Sequence, residues 1–197
     1  MKMKLEINIK QSVGDEERVL IRHVLDGHTE QFRPLADRYA YRVQKFVARM
    51  IPSSEDAEEV TQDALVSAFR SLHRFDAEQA SFRTWLLRIA YHTALKRLRR
   101  GSPGQLQPVE EVDIENLPDS ETDGLLNDSV PERIALLRQA VSGLAPDDQM
   151  LLNLYYYDGL SFREIAYIVD RTDAYLRSRL QWLRKKIHQT IIKLEEK

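Results

Sequence analysis

The chain has 197 residues, a net charge of −2 and no cysteine, which excludes a disulfide framework and a thiolate metal site. This length allows one large domain or two small ones, each with its own core. No apolar run approaches the roughly 20 residues that span a bilayer, and residues 1–14 lack the apolar core of a signal peptide. We therefore expect a soluble, cytoplasmic protein without direct membrane insertion.

The small net charge hides a strong segregation of charge along the chain. Residues 101–130 carry eight acidic residues and no basic one, whereas residues 81–100 carry six basic residues and no acidic one. A stretch of such basic density is typical of a protein that binds a polyanion.

The first predicted helix begins near Asp15 and stops before Gly27, which suits the left-handed position after a helix. Before it, residues 1–14 show an apolar alternation that is typical of either a short strand or a frayed tail, and we assign them to an N-terminal tail. The residues expected to form the apolar face of this helix are Val19, Leu20, Val24 and Leu25.

Three more helices are predicted before residue 101. The second covers about residues 28–51 and ends before Pro52. The third follows Ser53 and runs to about Leu72, with an acidic first turn that suits the helix dipole. The fourth runs from about 81 to 100, after a loop over residues 73–80. Apolar spacing places inward Phe32, Leu35, Tyr39, Val43, Phe46, Val47, Met50, Val60, Ala64, Ala68, Phe69, Leu72, Phe82, Trp85, Leu86, Ile89 and Ala90.

Residues 101–130 combine their acidic residues with three Gly and three Pro, and they show no apolar period. This composition predicts a flexible or loosely held linker. It divides the chain into two domains, residues 15–100 and residues 131–197. The predicted fold is therefore all-α, with two small helical domains joined by an acidic linker.

Helices in the second domain begin at Pro131 and Pro146, a residue favoured at the first helical position, and Gly159 ends the latter. The expected inward residues of these two helices are Ile134, Leu137, Ala140, Val141, Leu144, Met150, Leu151, Leu154 and Tyr155.

Residues 158–187 read as a helix, a tight turn and a longer basic helix. Ser161 and Glu164 have the spacing of a capping box, and Leu160 and Ile165 that of a hydrophobic staple. After the turn, the apolar stripe of the second helix is Leu176, Leu180, Leu183, Ile187 and Ile191.

This outline is that of a helix-turn-helix DNA reader, although a surface helix with merely solvated charges has a similar pattern. The short turn and the staple favour the DNA reader. Side chains outside the apolar stripe are able to donate to phosphates and base edges: Arg171, Tyr175, Arg177, Ser178, Arg179, Gln181, Arg184, Lys185 and Lys186.

An enzyme is not predicted, because the chain has no Gly-rich phosphate loop, metal-ligand cluster or activated nucleophile. We accordingly expect no catalytic residue, metal or cofactor. A stand-alone helix-turn-helix regulator is the alternative function, but it leaves the first hundred residues without a role.

Several short motifs resemble regions 2 and 4 of the bacterial sigma-70 family. Region 2 resembles residues 55–64, Phe75-Asp76 and residues 81–90, and region 4 resembles residues 144–149, 159–166 and 177–180. Regions 1.1 and 3 have no counterpart, which is the pattern of the extracytoplasmic-function (ECF) group. The resemblance implies a subunit that binds core RNA polymerase, through the β′ clamp and the β flap, and directs initiation at promoters.

The resemblance assigns roles along the third helix and the linker. It implies that Glu59, Gln62, Asp63 and Arg70 contact the β′ clamp. The alternative is a charged helix start without any contact, and for Glu55 and Glu58 this alternative is favoured. The linker either occupies the RNA-exit path of polymerase or merely spaces the two domains. ECF factors are commonly held by an anti-sigma factor, so such a partner is expected as well.

In region 2 the loop over residues 73–80 and the fourth helix match the reader of the −10 element, which captures a base and holds the melted strand. We expect Phe82 to be core and Tyr91 to be exposed, and Trp85 to be either. His92 stands where many members have Asn, and a plain surface histidine is its alternative. The implied −10 set is Phe75, Arg83, Trp85, Arg88, Tyr91, His92, Lys96, Arg97, Arg99 and Arg100.

In region 4 the second helix matches the reader of the −35 element in duplex DNA. The turn departs from the family, since Asp170 stands where Gly is common, but Asp tolerates a left-handed conformation. Trp182 replaces a usual Arg and is expected to be exposed. The implied −35 set is Ser161, Arg163, Arg171, Asp173, Tyr175, Arg177, Ser178, Arg179, Gln181, Arg184 and Lys185.

Overall fold

The computed structural model describes residues 2–101 and 130–195, so the predicted acidic linker lies almost wholly outside the described residues. Every regular element in these two ranges is helical. They fall into two compact units, one built mainly from residues before the linker and the other mainly from residues after it. The prediction of an all-α fold with two helical domains is confirmed. Within the described ranges, no helix is both long and apolar enough to cross a membrane.

Helices α1 (Lys2–Leu25), α2 (Phe32–Ala48), α3 (Ser54–Ser71) and α4 (Phe82–Gly101) form the first unit. Short 3-10 turns, Thr29–Gln31 and Leu72–Arg74, precede α2 and follow α3. The second unit contains α5 (Val130–Ser142), α6 (Pro146–Leu152), α7 (Phe162–Val169) and α8 (Asp173–Glu195). A π-helical turn, Asn153–Tyr157, continues α6.

Helix α1 begins at Lys2, earlier than its predicted start near Asp15. Its early residues are mostly Lys, Met, Leu, Glu and Gln, which favour helix and outweigh a short apolar alternation.

The predicted apolar face of α1 is also only partly right, since Val19 and Leu25 are exposed while Ile21 and Val24 are buried. The buried carboxylate of Glu17 explains this orientation of α1. It accepts a hydrogen bond from the Tyr39 hydroxyl of α2 and lies 3.5 Å from the Arg38 guanidinium.

Close packing of α2, α3 and α4 forms the core of the first unit. Leu35, Ala64 and Ala90, one on each helix, are completely buried, and the alanines let the helices approach closely without cavities. The large buried side chains Val43, Phe46 and Val47 are those predicted. Phe69 differs, because it remains partly exposed even though its ring centroid lies 5.2 Å from that of Phe32.

The helix-turn-helix segment has the local structure that its sequence predicts. Ser161 Oγ accepts from the Glu164 backbone N–H at 3.3 Å, and the Glu164 carboxylate accepts from the Ser161 backbone N–H at 2.8 Å. Asp170 ends α7 in the left-handed region, with φ of 55°. In α5, however, Ile134 and Leu137 are exposed rather than inward, whereas Ala140 and, just after the helix, Leu144 are buried.

Two glycines of the first unit provide a matched pair of substitutions. Gly27 has φ of +103°, whereas Gly14 lies within α1, and a methyl group at either position meets no atom within 4 Å. We predict that Gly27→Ala destabilises the chain by about 1–2 kcal/mol, because an L residue is strained at that φ. Gly14→Ala should stabilise it by about 0.5–1 kcal/mol. Urea unfolding of the full chain measures both changes in the free energy of unfolding. Equal changes for the two substitutions would contradict the assigned backbone conformations.

Candidate nucleic-acid interface

The start of α8 is held in place by a cap that the sequence analysis did not identify. The Thr172 hydroxyl accepts from the Tyr175 backbone N–H at 3.2 Å, and the Thr172 carbonyl accepts from the Leu176 N–H at 3.1 Å. The sequence does contain a signal for this cap, because Thr is a preferred residue directly before a helix. The first turn of α8 is therefore fixed relative to α7, whose Ala166 carbonyl accepts from the Arg171 N–H at 3.3 Å.

A buried ion pair connects α8 to α6, and it corrects one predicted DNA contact. Arg179 donates from Nε and an Nη atom to the two oxygens of Asp148 at 2.7 and 2.8 Å. The two residues are only 7% and 4% exposed. Arg179 is thus a core residue, and its prediction as a DNA-binding residue is wrong. Its spacing shows why: it lies three residues after Leu176 and four before Leu183, within the buried stripe.

Trp182 packs against charged side chains, contrary to the expectation that its ring is exposed. The Arg179 guanidinium lies 4.3 Å from the ring centroid, and Lys186 Nζ lies 4.7 Å from it. The ring is half-buried. Cation–π attraction favours this stacking.

The other predicted −35 residues lie at or near the surface of the second unit. Arg163, Arg171, Arg177 and Arg184 are exposed, and Ser161 serves as the cap of α7. Half-buried positions are held by Asp173, Tyr175, Ser178, Gln181 and Lys185. Burial raises the pKa of Tyr175, so its hydroxyl stays protonated as a donor. Donors thus line one side of α8.

Arg177 and Arg184 are each held against aromatic rings. Arg177 lies over the Phe162 ring, 4.6 Å from its centroid, and donates from Nε to Asp173 at 2.5 Å. Arg184 donates from Nε to the Tyr156 hydroxyl at 2.6 Å. These side chains border an open cavity of about 300 Å³ whose walls are formed by Tyr155, Phe162, Arg177, Leu180, Gln181, Arg184 and Lys185.

In the first unit, three of the predicted aromatic side chains form one cluster. The ring centroid of Phe75, in the loop before α4, lies 5.6 Å from that of Phe82 and 5.3 Å from that of Trp85. Phe82 is buried as predicted. Trp85, which was predicted to be either a core or an exposed residue, is only 6% exposed. Phe75 itself is half-buried. The cluster holds the loop residue at the surface edge of the core.

Tyr91 contradicts its prediction, because it is only 8% exposed. It lies four residues after the buried Leu87 and three before the buried Ala94, on one face of α4. Its ring contacts that of the exposed His92, with centroids 5.3 Å apart. Tyr91 is therefore a structural residue and not an exposed DNA contact.

The basic side chains of α4 divide into exposed and paired groups. Lys96, Arg99 and Arg100 are exposed, whereas Arg83 and Arg88 are half-buried. The remaining one, Arg97, forms ion pairs with α3. Its guanidinium donates to the Asp56 carboxylate and lies 3.2 Å from that of Glu59. The hydrogen bond to Asp56 and the charges of Asp56 and Glu59 raise the pKa of Arg97.

On α3, the residues expected to contact polymerase lie on the surface. Gln62, Asp63 and Arg70 are exposed, and Val66 between them is an exposed apolar residue. Glu59 is exposed as well, although the pair with Arg97 occupies part of its carboxylate. No group of three or more metal-ligating side chains is found among the described residues.

Comparisons with known proteins match both units. Residues 35–103 match the family described as Sigma-70 region 2, and residues 134–187 match Sigma-70, region 4. The ECF RNA polymerase sigma-E factor of Escherichia coli (strain K12) is 36% identical over 183 residues, covering 89% of this chain and 94% of the relative. The RNA polymerase sigma-H factor of Pseudomonas aeruginosa (strain PAO1) is 29% identical over 185 residues, covering 90% and 94%.

Two solved structures have the same fold. CnrH in complex with the cytosolic domain of CnrY aligns with a TM-score of 0.59 and 20% identity, over 87% of this chain and 94% of that one. The sigma factor RpoE in complex with the anti-sigma factor NepR from Bartonella quintana aligns with a TM-score of 0.54 and 19% identity, over 82% and 96%.

The buried pair predicts a specific stability pattern. Asp148→Ala leaves a guanidinium buried without its carboxylate, and we expect a loss of about 3–5 kcal/mol. The double substitution Asp148→Leu/Arg179→Met removes both charges and should cost much less. Arg163→Ala, at an exposed position, is the control. The free energy of unfolding of each variant is measured from Trp182 fluorescence during urea unfolding, in a Trp85→Phe background. A double variant as unstable as Asp148→Ala would contradict the proposed role of the ion pair.

Proposed function

The chain belongs to the ECF group of the sigma-70 family, whose members direct RNA polymerase to promoters, and we propose which of its surfaces carry each step. The α8 surface reads the −35 duplex, the Phe75 loop and α4 hold the melted −10 strand, and the exposed side of α3 binds core polymerase. Anchoring the chain at two promoter elements and on the enzyme restricts initiation to sites that contain both elements.

The observation that carries the −35 assignment is the orientation of α8. The buried Arg179 and Leu180 turn one side of the helix inward, so Arg177, Gln181 and Arg184 lie on the other side. In helix-turn-helix proteins the N-terminal residues of the second helix approach base edges. Arg177, in the second turn, has the donor geometry for a guanine edge, and Arg184, further along, suits a phosphate.

The −10 assignment is supported by the position of Phe75 between loop and core. A base that leaves the duplex loses its stacking partners, and an aromatic side chain at a surface edge replaces them. The exposed Lys96, Arg99 and Arg100 on α4 supply the cations that hold the phosphates of the same strand.

Core RNA polymerase is the partner proposed for α3, and an anti-sigma factor is the proposed inhibitor, as in the complex with RpoE named above. An exposed carboxylate and amide, Asp63 and Gln62, accept hydrogen bonds from basic residues, and Val66 adds apolar contact between them. Since polymerase and chromosome share the bacterial cytoplasm, we propose that the chain acts there, without catalysis of its own.

Run-off transcription tests this function and separates it from a stand-alone DNA-binding regulator. We predict specific transcripts only when the chain and core polymerase are both present. Asp63→Arg should lower core binding at least tenfold, because it reverses a charge in the proposed contact. Asp37→Arg, which reverses an exposed carboxylate on α2 instead, is the matched control and should retain binding. Tight specific duplex binding by the chain alone, without polymerase-dependent initiation, would favour the regulator.

Phe75 provides a second test, at the melting step. Phe75→Ala removes the ring proposed to stack on an unpaired base, and we predict a greater than tenfold slower promoter opening with unchanged affinity for core polymerase. Phe75→Tyr keeps the ring and should open promoters nearly normally. Opening is followed by permanganate reactivity of unpaired thymines. If Phe75→Ala reduced opening and core binding equally, the loop would have no specific role in melting.

A further inference from the structure

Three aromatic rings of the second unit lie against the proposed −35 surface without filling its core. Tyr155 and Phe162 stack with centroids 4.9 Å apart and planes 31° apart, and the ring of Tyr156 packs edge-on against Tyr155 at 5.0 Å. Tyr156 is 58% exposed, although burying its ring would be favourable. Together with Arg177 and Arg184 these residues form what we call the aromatic cradle.

Tyr156 restrains the Arg184 side chain in two ways. Its hydroxyl accepts the Nε–H at 2.6 Å, and its ring centroid lies 5.7 Å from the guanidinium carbon. The Tyr155 ring lies 6.0 Å from the same carbon. Because Nε–H is used within the protein, the two terminal nitrogens of Arg184 remain as donors for a ligand.

Phe162 restrains Arg177 in the same way, from the start of α7. The guanidinium stacks on its ring at 4.6 Å while Asp173 accepts from Nε at 2.5 Å and from an Nη atom at 3.4 Å. A free arginine side chain has many rotamers that binding must restrict. Stacking restricts them before DNA arrives, so less conformational entropy is lost on binding.

We propose that Tyr156 and Phe162 are positioning residues of the −35 reader, with different targets. Tyr156 holds Arg184 for a phosphate of the DNA backbone, and Phe162 holds Arg177 for a base edge. These two roles rest on the proposed function of α8, and they belong to aromatic side chains that were not among the residues predicted to bind DNA. A phosphate contact is independent of sequence, whereas a base contact is not.

The two targets predict different changes in DNA binding. The holoenzyme is titrated with duplexes carrying a matched or a mismatched −35 element, at several salt concentrations. Tyr156→Leu and Arg184→Ala should each weaken binding of both duplexes about three- to tenfold. Each should also lower the slope of log affinity against log salt by about 1, because one phosphate contact is lost. Tyr157→Leu, the neighbouring and more exposed tyrosine, is the control and should leave affinity and slope unchanged.

Phe162→Leu should change sequence preference and leave the salt dependence of binding unaltered. We expect the ratio of matched to mismatched affinity to fall about tenfold while the salt slope stays as in the wild type. Phe162→Tyr keeps the stacked ring and should restore the ratio. If either residue had only a structural role, its substitution would lower the unfolding temperature. It would not change the salt slope in the Tyr156 variant alone and the matched-to-mismatched affinity ratio in the Phe162 variant alone.

Three outcomes decide the matter. Wild-type slope and ratio in stably folded Tyr156→Leu and Phe162→Leu would overturn the proposal. If Tyr156→Leu unfolds, Arg184→Ala, at an exposed position, still tests the phosphate contact, and an unchanged slope there would overturn it equally. If the wild-type holoenzyme does not prefer the matched duplex, the proposed −35 function itself fails, which is distinguishable from failure of the cradle.

Discussion

The ion pair between Asp148 and Arg179 is the contact on which the second unit depends. Both groups are almost completely buried, and both carboxylate oxygens are used. A buried guanidinium needs its carboxylate, so α8 cannot rotate about its axis without a large energetic cost. The pair therefore decides which side chains of α8 face solvent. Arg177 and Arg184 point outward because Arg179, between them in sequence, points inward.

A second ion pair has a comparable place in the first unit. Arg97 of α4 bonds to Asp56 and lies 3.2 Å from Glu59, both on α3. Helix α4 belongs to the proposed strand-holding surface and α3 to the proposed polymerase-binding surface. The ion pair is only partly exposed to solvent, and pairs of this kind contribute little to stability. It connects the helix of one proposed surface to the helix of the other.

Much of this arrangement was predictable from sequence, because local signals agreed with each other. Capping residues, glycine positions and apolar spacing located the helices, and Asp170 adopts the left-handed turn expected of it. The errors arose where a residue type suggested the wrong environment. Arg179 was assigned to the DNA-facing side of α8 and Tyr91 to the surface of α4, where polar side chains usually lie, but the position of each residue on its helix places it on the buried side. The partner Asp148 lies 31 residues away from Arg179, and no local pattern connects them.

Site-directed photo-crosslinking tests the central claim, that the outward side of α8 contacts promoter duplex while α3 contacts the enzyme. A photoreactive amino acid is placed at Gln181 in one variant and at Val66 in another, and each is assembled with core polymerase on a promoter. We expect position 181 to crosslink to DNA at the −35 element and position 66 to crosslink to polymerase. Crosslinks from position 181 to polymerase alone, with none to DNA, would contradict it.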